Sequence, residues 1–318
     1  MALSNMILFD TQVHKVATET VDQSVQKFNE ASGGALILGS EIAIGDYLEE
    51  ASYSIISSLV NRRDAYADAA VGDVTLDQLK DVSVKVDTRI GPVIWTAEQF
   101  NRLGKSEEEA GLIVGEQVAA GLIQDYLNTA ASGAVAAIGA QSGARFDGSA
   151  GKISMAALNK GARKFGDSAQ SLTTWVMHGD IWHDLVDEAI TNSSQLFNIG
   201  NINVMQDGLG RRYVVTDCPA LVKAGTPDNY HTLGLVSGAV QVQTGSIASV
   251  TVDITGKTNL KKRWQGESSY MLGLKGYAWH QGSGGGKSPS AAALAKASNW
   301  PKLSTSIKDT AGVLVTTK

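Results

Sequence analysis

Three short stretches carry residue types that could do chemistry. The first, HQGSGGGKSPS at 280–290, sets a glycine run before Lys287 and Ser288. A phosphate-binding loop of the G-x-x-x-x-G-K-[ST] kind needs a glycine five positions before Gly286, where its turn exposes backbone N–H groups to phosphate. Position 281 is Gln281, so the motif fails at its first residue. The stretch is better read as a link into a helix, with Ser288 as N-cap, Pro289 in the first turn and the helix-forming SAAALAKA behind them. The second stretch, VMHGDIWHDLVDEA, gathers His178, Asp180, His183 and Asp184. A five-residue spacing does not put two histidines on one helix face, so shared metal ligation is weak, and Asp180 reads as a helix cap. The third, KTNLKKRWQ at 257–265, could touch phosphate. One short basic patch with a lone Trp264 offers no stacking platform, however, and reads as a solvated face or a subunit contact. Cys218 is the single cysteine, which excludes an intrachain disulfide, and nothing beside it favours a thiolate.

No Ser–His–Asp or Cys–His arrangement can be assembled by spacing, so neither a catalytic residue nor a metal or cofactor site is expected. Composition agrees with a folded, non-catalytic role. The 318 residues are 43% hydrophobic and 19% charged, with 34 glycines against 5 prolines, as in a turn-rich globular chain. The formal net charge of -5 argues against gripping nucleic acid along a basic face. The N-terminal stretch reads as neither a signal peptide nor a membrane anchor, and no apolar run is long enough to span a bilayer, so the expectation is an unprocessed cytosolic product. Charge is uneven: residues 1–60 hold eight acids and two lysines, whereas residues 281–318 hold five lysines and one aspartate. The two ends are therefore either separate solvated faces or partners in pairing between subunits.

The elements that would position these residues are mixed. Residues 11–30 predict an amphipathic arm ending at Gly33-Gly34, and Ile44 to Val60 a short helix. In VSVKVDTRIGPVIWT, Val82, Val84 and Val86 alternate with polar residues before a turn-like DTRIGP, which predicts a hairpin over 81–96 with one apolar face available to another subunit. Residues 106–131 predict a long helix. Ser106 and Glu109 form a capping box, Val114, Val118, Leu122 and Tyr126 recur every fourth residue, and Gly111, Gly115 and Gly121 imply close backbone approach. After a small-residue connector come helices at 155–165 and 180–191. Strands are expected in TTWVMH, NINVMQDGLGRRYVVTD, YHTLGLVSGAVQVQ and ASVTVDI, and RWQGESSYMLGLKGYAW reads as two returning strands.

This succession of arm, extended hairpin, long helix, mixed insertion, returning strands and tail resembles the major capsid proteins of tailed double-stranded-DNA bacteriophages. The residues that carry the resemblance are 81–96, 106–131, GDSAQSLTTWVMHGDIWHDL at 166–185, GLGRRYVVTD at 208–217 and the tail 272–313. The resemblance implies an α+β, Hong-Kong-97-like capsid fold. Its parts would be an N-terminal arm and short helix at 1–60, an extended loop at 61–100, a peripheral domain with its spine helix at 101–140, an axial domain at 141–255, and return strands with the tail at 256–318.

It further implies a structural, non-enzymatic subunit that self-assembles through pentamers and hexamers into an icosahedral shell. The shell would enclose double-stranded DNA without sequence-specific binding, in a virion made in the bacterial host cytoplasm, with a separate scaffolding protein, a portal and a decoration protein as further partners. No cofactor and no membrane are implied. Val84, Val86, Asp87, Thr88, Arg89 and Trp95 are the expected subunit contacts. Lys85 lies on the same hairpin, but nothing identifies partners for a covalent cross-link. The competing readings are a nanocompartment shell of the same fold, a phosphate-binding enzyme using Lys287 and Ser288, and a small catalytic domain centred on His183.

Overall fold

A computed structural model describes the chain except residues 1, 40–44, 54–59, 61, 67, 69, 74, 77, 97, 100, 101, 103–105, 189–192, 200, 201, 209, 257 and 283. In chain order the elements that matter are α1 (Ala2–Ala31), β1 (Leu36–Gly39), β2 (Tyr47–Tyr53), β3 (Gln78–Thr96) and α2 (Glu107–Gly139). Then follow β4 (Arg145–Asp147), α3 (Met155–Ala162), β5 (Leu172–Met177), α4 (Gly179–Glu188), β6 (Ser193–Ile199), β7 (Ile202–Asp207), β8 (Arg212–Thr216) and β9 (Val222–Lys223). The chain continues through β10 (Asn229–Val236), β11 (Val240–Ile254), β12 (Lys261–Leu274), α5 (Ala291–Leu294) and β13 (Gly312–Thr317).

Two sheets divide the strands. The smaller runs β1-β11-β12-β3-β2, and the larger β4-β13-β10-β5-β8-β7-β6, with β9 beside β10. Helices α1 and α2 cover one face of the smaller sheet, and α2 links the two sheets through one continuous core that includes Tyr126, Leu127, Ala130, Leu272 and Leu314. A satellite cluster of Phe9, Val13, Trp95, Ala110 and Trp264 closes the far end of the helix pair, with the Phe9 and Trp95 rings 4.5 Å apart. Asp10 ties α1 to the sheet there, accepting from Ser249 Oγ at 2.6 Å and from Trp264 Nε1 at 3.0 Å.

The long helix is capped as its sequence requires, Ser106 Oγ accepting from Glu109 N at 3.2 Å. It runs 33 residues, about two turns past the expected end, because Ala134, Ala136 and Ala137 favour helix there and, with Ile138, are buried in the core, which outweighs the cost of Gly133 and Gly139. Of the three glycines expected to mark close approach, Gly111, Gly115 and Gly121, two do so. A Cβ on Gly111 would lie 3.3 Å from Gln12 Cβ and the Phe9 carbonyl oxygen, and one on Gly115 would lie 3.0 Å from Val16 Cβ, so α1 seats directly on the α2 backbone. Nothing lies within 4 Å of the corresponding point on Gly121.

Several expectations need correction. Residues 81–96 form no hairpin. DTRIGP is absorbed into one 19-residue strand, whose register against β12 shifts between Trp264 and Gly266, where Gly91 and Pro92 add a bulge. The described part of 44–60 is strand β2, since Tyr47 to Tyr53 pair antiparallel with Val84 to Gln78 and that pairing outweighs local helix propensity. The hairpin is therefore β2–β3, joined by 54–77. RWQGESSYMLGL is one strand, because β11 and β3 flank it on both sides. The segment expected to form the axial domain, 141–255, gives β11 to the smaller sheet. Conversely, β13, expected as tail, lies inside the larger sheet, antiparallel to β10 and parallel to β4.

The helix contact yields a paired prediction. Gly115→Val overpacks against Val16 and should destabilise the subunit by about 1–3 kcal/mol in urea unfolding. Gly121→Ala meets nothing and should stabilise it by about 1 kcal/mol. Similar effects at both positions would contradict the contact.

Candidate assembly surface

Among the described residues, the polar groups of the glycine-rich stretch and of the His178 stretch are engaged largely by partners within the chain. The glycine-rich loop folds back over Trp279 and Asn299, with Gly286 O accepting from Trp279 Nε1 at 3.0 Å and Gly284 O from Asn299 Nδ2 at 2.7 Å. Its carbonyls are thus engaged by the chain's own buried side chains. Lys287 is held by Asp46 at 2.6 Å. The expected cap is displaced by two residues: Ser290, not Ser288, accepts from Ala293 N, and Ser288 sits at φ 45° on the bend before a four-residue helix.

His178 stands between two carboxylates, 3.5 Å from Asp180 and 3.6 Å from Asp217, and Tyr230 OH donates to Asp180 at 3.0 Å. His178 Nδ1 accepts from Asp180 N at 3.3 Å, so the histidine, rather than Asp180, closes the start of α4. His183 lies apart on that helix, and Asp184 pairs with Lys152. Among the described residues no group of three or more His, Cys, Asp or Glu is placed to hold a metal ion, and no helix is long and apolar enough to cross a membrane. Cys218 is buried, and that burial pushes its thiol up, away from the reactive thiolate.

The expected contact residues separate by strand alternation. Val84 and Val86 point under α2, at 0% and 6% exposure, and Trp95 is buried against Phe9. These three are core residues of the subunit, so their side chains cannot face a neighbour. Asp87 and Arg89 are exposed on the opposite face, and Thr88 is half-buried, its Oγ1 donating to Ser268 O at 3.0 Å.

That opposite face carries what sequence reading missed. Cross-strand partners share a face, and the register aligns Val252, Arg263 and Ile94 in one row, Ile254, Lys261 and Thr96 in the next, and Ala248, Glu267 and Arg89 further along. Val250 is 62% exposed, Val252 45% and Ile94 47%. The helices cover the other face only. The distal half of the sheet therefore offers an apolar stripe bordered by Lys261, Arg263 and Arg89. The alternation of Val250, Val252 and Ile254 was visible in the sequence, but alternation alone does not say which face is covered.

A second exposed feature complements it. In the β2–β3 connection, Val60, Tyr66, Val71 and Leu76 are exposed, beside Asp64, Asp68 and Asp73. With Arg62 and Arg63 beside the three aspartates, this is an apolar segment of mixed charge at one end of the sheet, and an apolar face carrying Lys261, Arg263 and Arg89 together with Glu267 and Asp87 lies at the other. From Gln78 to Ile94 is roughly 50 Å at ~3.3 Å per residue. Half of the 54–77 connection, fully extended, reaches only about 40 Å. The middle of the segment therefore cannot reach the Ile94 row of its own subunit's stripe.

A groove of about 560 Å³ lies between α2 and β3, lined by Val114, Val118, Gly121 and Asp125 on the helix and Ile90 and Val93 on the strand. Asp125 accepts from Tyr270 OH at 3.1 Å. Burial is the larger influence and raises its pKa, while the tyrosine opposes this. With the folded value above the unfolded one, Asp125 subtracts stability as pH rises past the ordinary carboxylate range, and the loss is relieved below it. Asp125→Asn should therefore gain stability relative to the parent at pH 7 and lose that advantage near pH 3, as read by paired urea titrations. A pH-independent difference would contradict the assignment.

Burial likewise predicts that Val84→Asp unfolds the subunit, because an unpaired carboxylate in that core costs about 4 kcal/mol or more. Arg89→Glu should leave circular dichroism and unfolding midpoint near those of the parent. A folded Val84→Asp protein would overturn the placement of β3.

Comparisons with known proteins agree with this architecture. A structure from Mycobacterium phage Adephagia shares 12% identity, over 91% of this chain and 90% of that one, at a TM-score of 0.50. One from Mycobacterium phage Bobi shares 10%, over 94% and 89%, also at 0.50. The capsid of Myoviridae phage XM1 matches at 10% identity over 90% of each chain, with a TM-score of 0.47. No curated protein matches the sequence. The fold is the Hong-Kong-97-like α+β capsid fold, and neither the nanocompartment nor the phosphate-binding enzyme reading is favoured. Residues 5–314, nearly the whole chain, match the family described as Gp13-like, major capsid protein 13-like, and the chain belongs to that family of structural capsid shell subunits.

Proposed function

We propose that copies of this capsid subunit close into pentamers and hexamers by laying the β2–β3 loop of one copy across the exposed sheet face of the next. The observation that carries this is that both surfaces leave apolar residues uncovered, Val60, Tyr66, Val71 and Leu76 on the loop and Val250, Val252 and Ile94 on the face, with Asp64, Asp68 and Asp73 available to meet Lys261, Arg263 and Arg89. Each surface also carries both signs of charge, Arg62 and Arg63 beside the loop aspartates and Glu267 and Asp87 beside the basic residues of the face. Burying the apolar residues supplies a hydrophobic contribution, and the charges set orientation. Asp87, Thr88 and Arg89 lie beside this contact.

On this reading the loop belongs with the expected extended loop at 61–100, the α2 region with the peripheral domain, and most of 141–255 with the axial domain. The chain is non-enzymatic, is made in the bacterial host cytoplasm and resides in the virion capsid. The acidic net charge of -5 suits a wall that encloses double-stranded DNA without binding its sequence. A separate scaffolding protein, a portal and a decoration protein are its further partners.

Negative-stain electron microscopy of the chain, expressed alone and with a scaffolding protein, tests this reading. Closed shells or tubes are expected in at least one case. A ~33 kDa monomer in both would overturn it. Replacing 62–73 by a Gly/Ser linker should leave a folded subunit that makes no shells, and normal shells from that variant would remove the loop from the contact.

A further inference from the structure

The β2–β3 loop depends on a narrow root. β2 is the edge strand of its sheet, with β3 as its strand neighbour. A rotation of about 10° at the root would move a point ~25 Å out, near the end of β2, by roughly 4 Å. Pairing with β3 alone leaves such twisting soft, because among the described residues no strand lies beside the other edge of β2.

The glycine-rich loop at 280–287 meets β2 at that root. Lys287 Nζ lies 2.6 Å from Asp46 Oδ2, and Gln281 Nε2 donates to Glu49 Oε1 at 2.6 Å. Glu49 is also held by Lys80 of β3 at 2.7 Å. The far side of the loop is fixed firmly. Trp279, 2% exposed, donates its backbone N–H to Val82 O at 2.9 Å and its ring N–H to Gly286 O. Asn299, also 2% exposed, donates to Gly284 O and Ala293 O. A Cβ on Gly285 would collide with the His280 carbonyl, so the tight return past Trp279 requires glycine at that position. An anchored loop thus presents one cation and one amide to two carboxylates at the root of a lever.

We propose that Lys287 and Gln281 are positioning residues that set the angle of the β2–β3 loop, and so the angle at which one subunit reaches the next. The inference rests on the reading that this loop makes the subunit contact. Geometry is matched by electrostatics: hydrogen bonding and attraction from Lys287 hold the Asp46 carboxyl below its ordinary range, and Asp46 raises Lys287. Both partners are solvent-exposed, so salt screens the pair and the restraint is elastic. That softness fits a subunit that must meet neighbours at slightly different angles in rings of five and six. The opposite charges of the two chain ends are here brought together within one subunit.

Two readouts separate this proposal from the reading beneath it. In the unassembled subunit, amide exchange by mass spectrometry over residues 46–53 should be roughly two- to fivefold faster in Lys287→Glu, as loss of an exposed pair allows. Lys287→Arg should match the parent, and Asp46→Lys combined with Lys287→Glu should restore protection. Under assembling conditions, Lys287→Glu should give a broader shell-diameter distribution at unchanged subunit stability. Unchanged exchange in Lys287→Glu overturns the proposal whether or not shells form. So does failure of the reversed pair to restore protection, or a parent-like diameter distribution from a variant whose exchange has increased. Absence of shells from the parent protein counts against the shell-contact reading, while the exchange experiment still tests the restraint.

Discussion

The alternation of one strand governs much of this subunit. β3 is long enough to belong at once to the core, to the projecting loop and to the outer sheet face, and its two-residue period assigns every side chain to one of those duties. Val82, Val84 and Val86 pack beneath α2, leaving Lys85, Asp87 and Arg89 on the other side. The bulge at Gly91-Pro92 then resets the phase, so that Trp95 returns to the helices while Ile94 faces outward. Without that reset, Trp95 would leave the satellite cluster that fastens α1 and α2 to the sheet.

This also explains what could be read from the sequence. Helix α2 was legible because capping, periodicity and costly glycines are local, and Gly111 and Gly115 even announced the close approach of α1. The order of elements was legible as a resemblance. The hairpin at 81–96 was not, since DTRIGP has turn chemistry, and only the paired strand β12 shows that the chain runs straight through it. Val84 and Val86 were correctly taken as one apolar face, but whether that face meets a neighbour or a helix depends on α2, some twenty residues further on. β13 gave no alternating signal because all six of its residues are buried on both faces, the pattern of a strand inside a covered sheet.

Residues that seemed reactive proved to be joints. The glycine run before Lys287 wraps a tryptophan and reaches the loop root, and His178 closes a helix between two aspartates. In both cases close-packed polar groups have partners within the chain, which is how a structural subunit uses the side chains that an enzyme would direct at a substrate. The contrast lies in where the unsatisfied surface is: apolar, on the sheet face and in the loop, rather than polar and concave.

The position of β13 carries a consequence for the order of folding. It is made after every other strand of its sheet, yet it lies between β4 and β10. Until it emerges from the ribosome, β4 has no strand to pair with and β10 shows an open edge on one side. Synthesis must therefore pass Thr317 before the larger sheet can close, and a chain that stops short keeps a sticky, half-built edge that chaperones and proteases recognise. Closure of the sheet waits on the strand that comes last in chain order, so the fold itself screens chains cut short of β13 before they can enter a lattice.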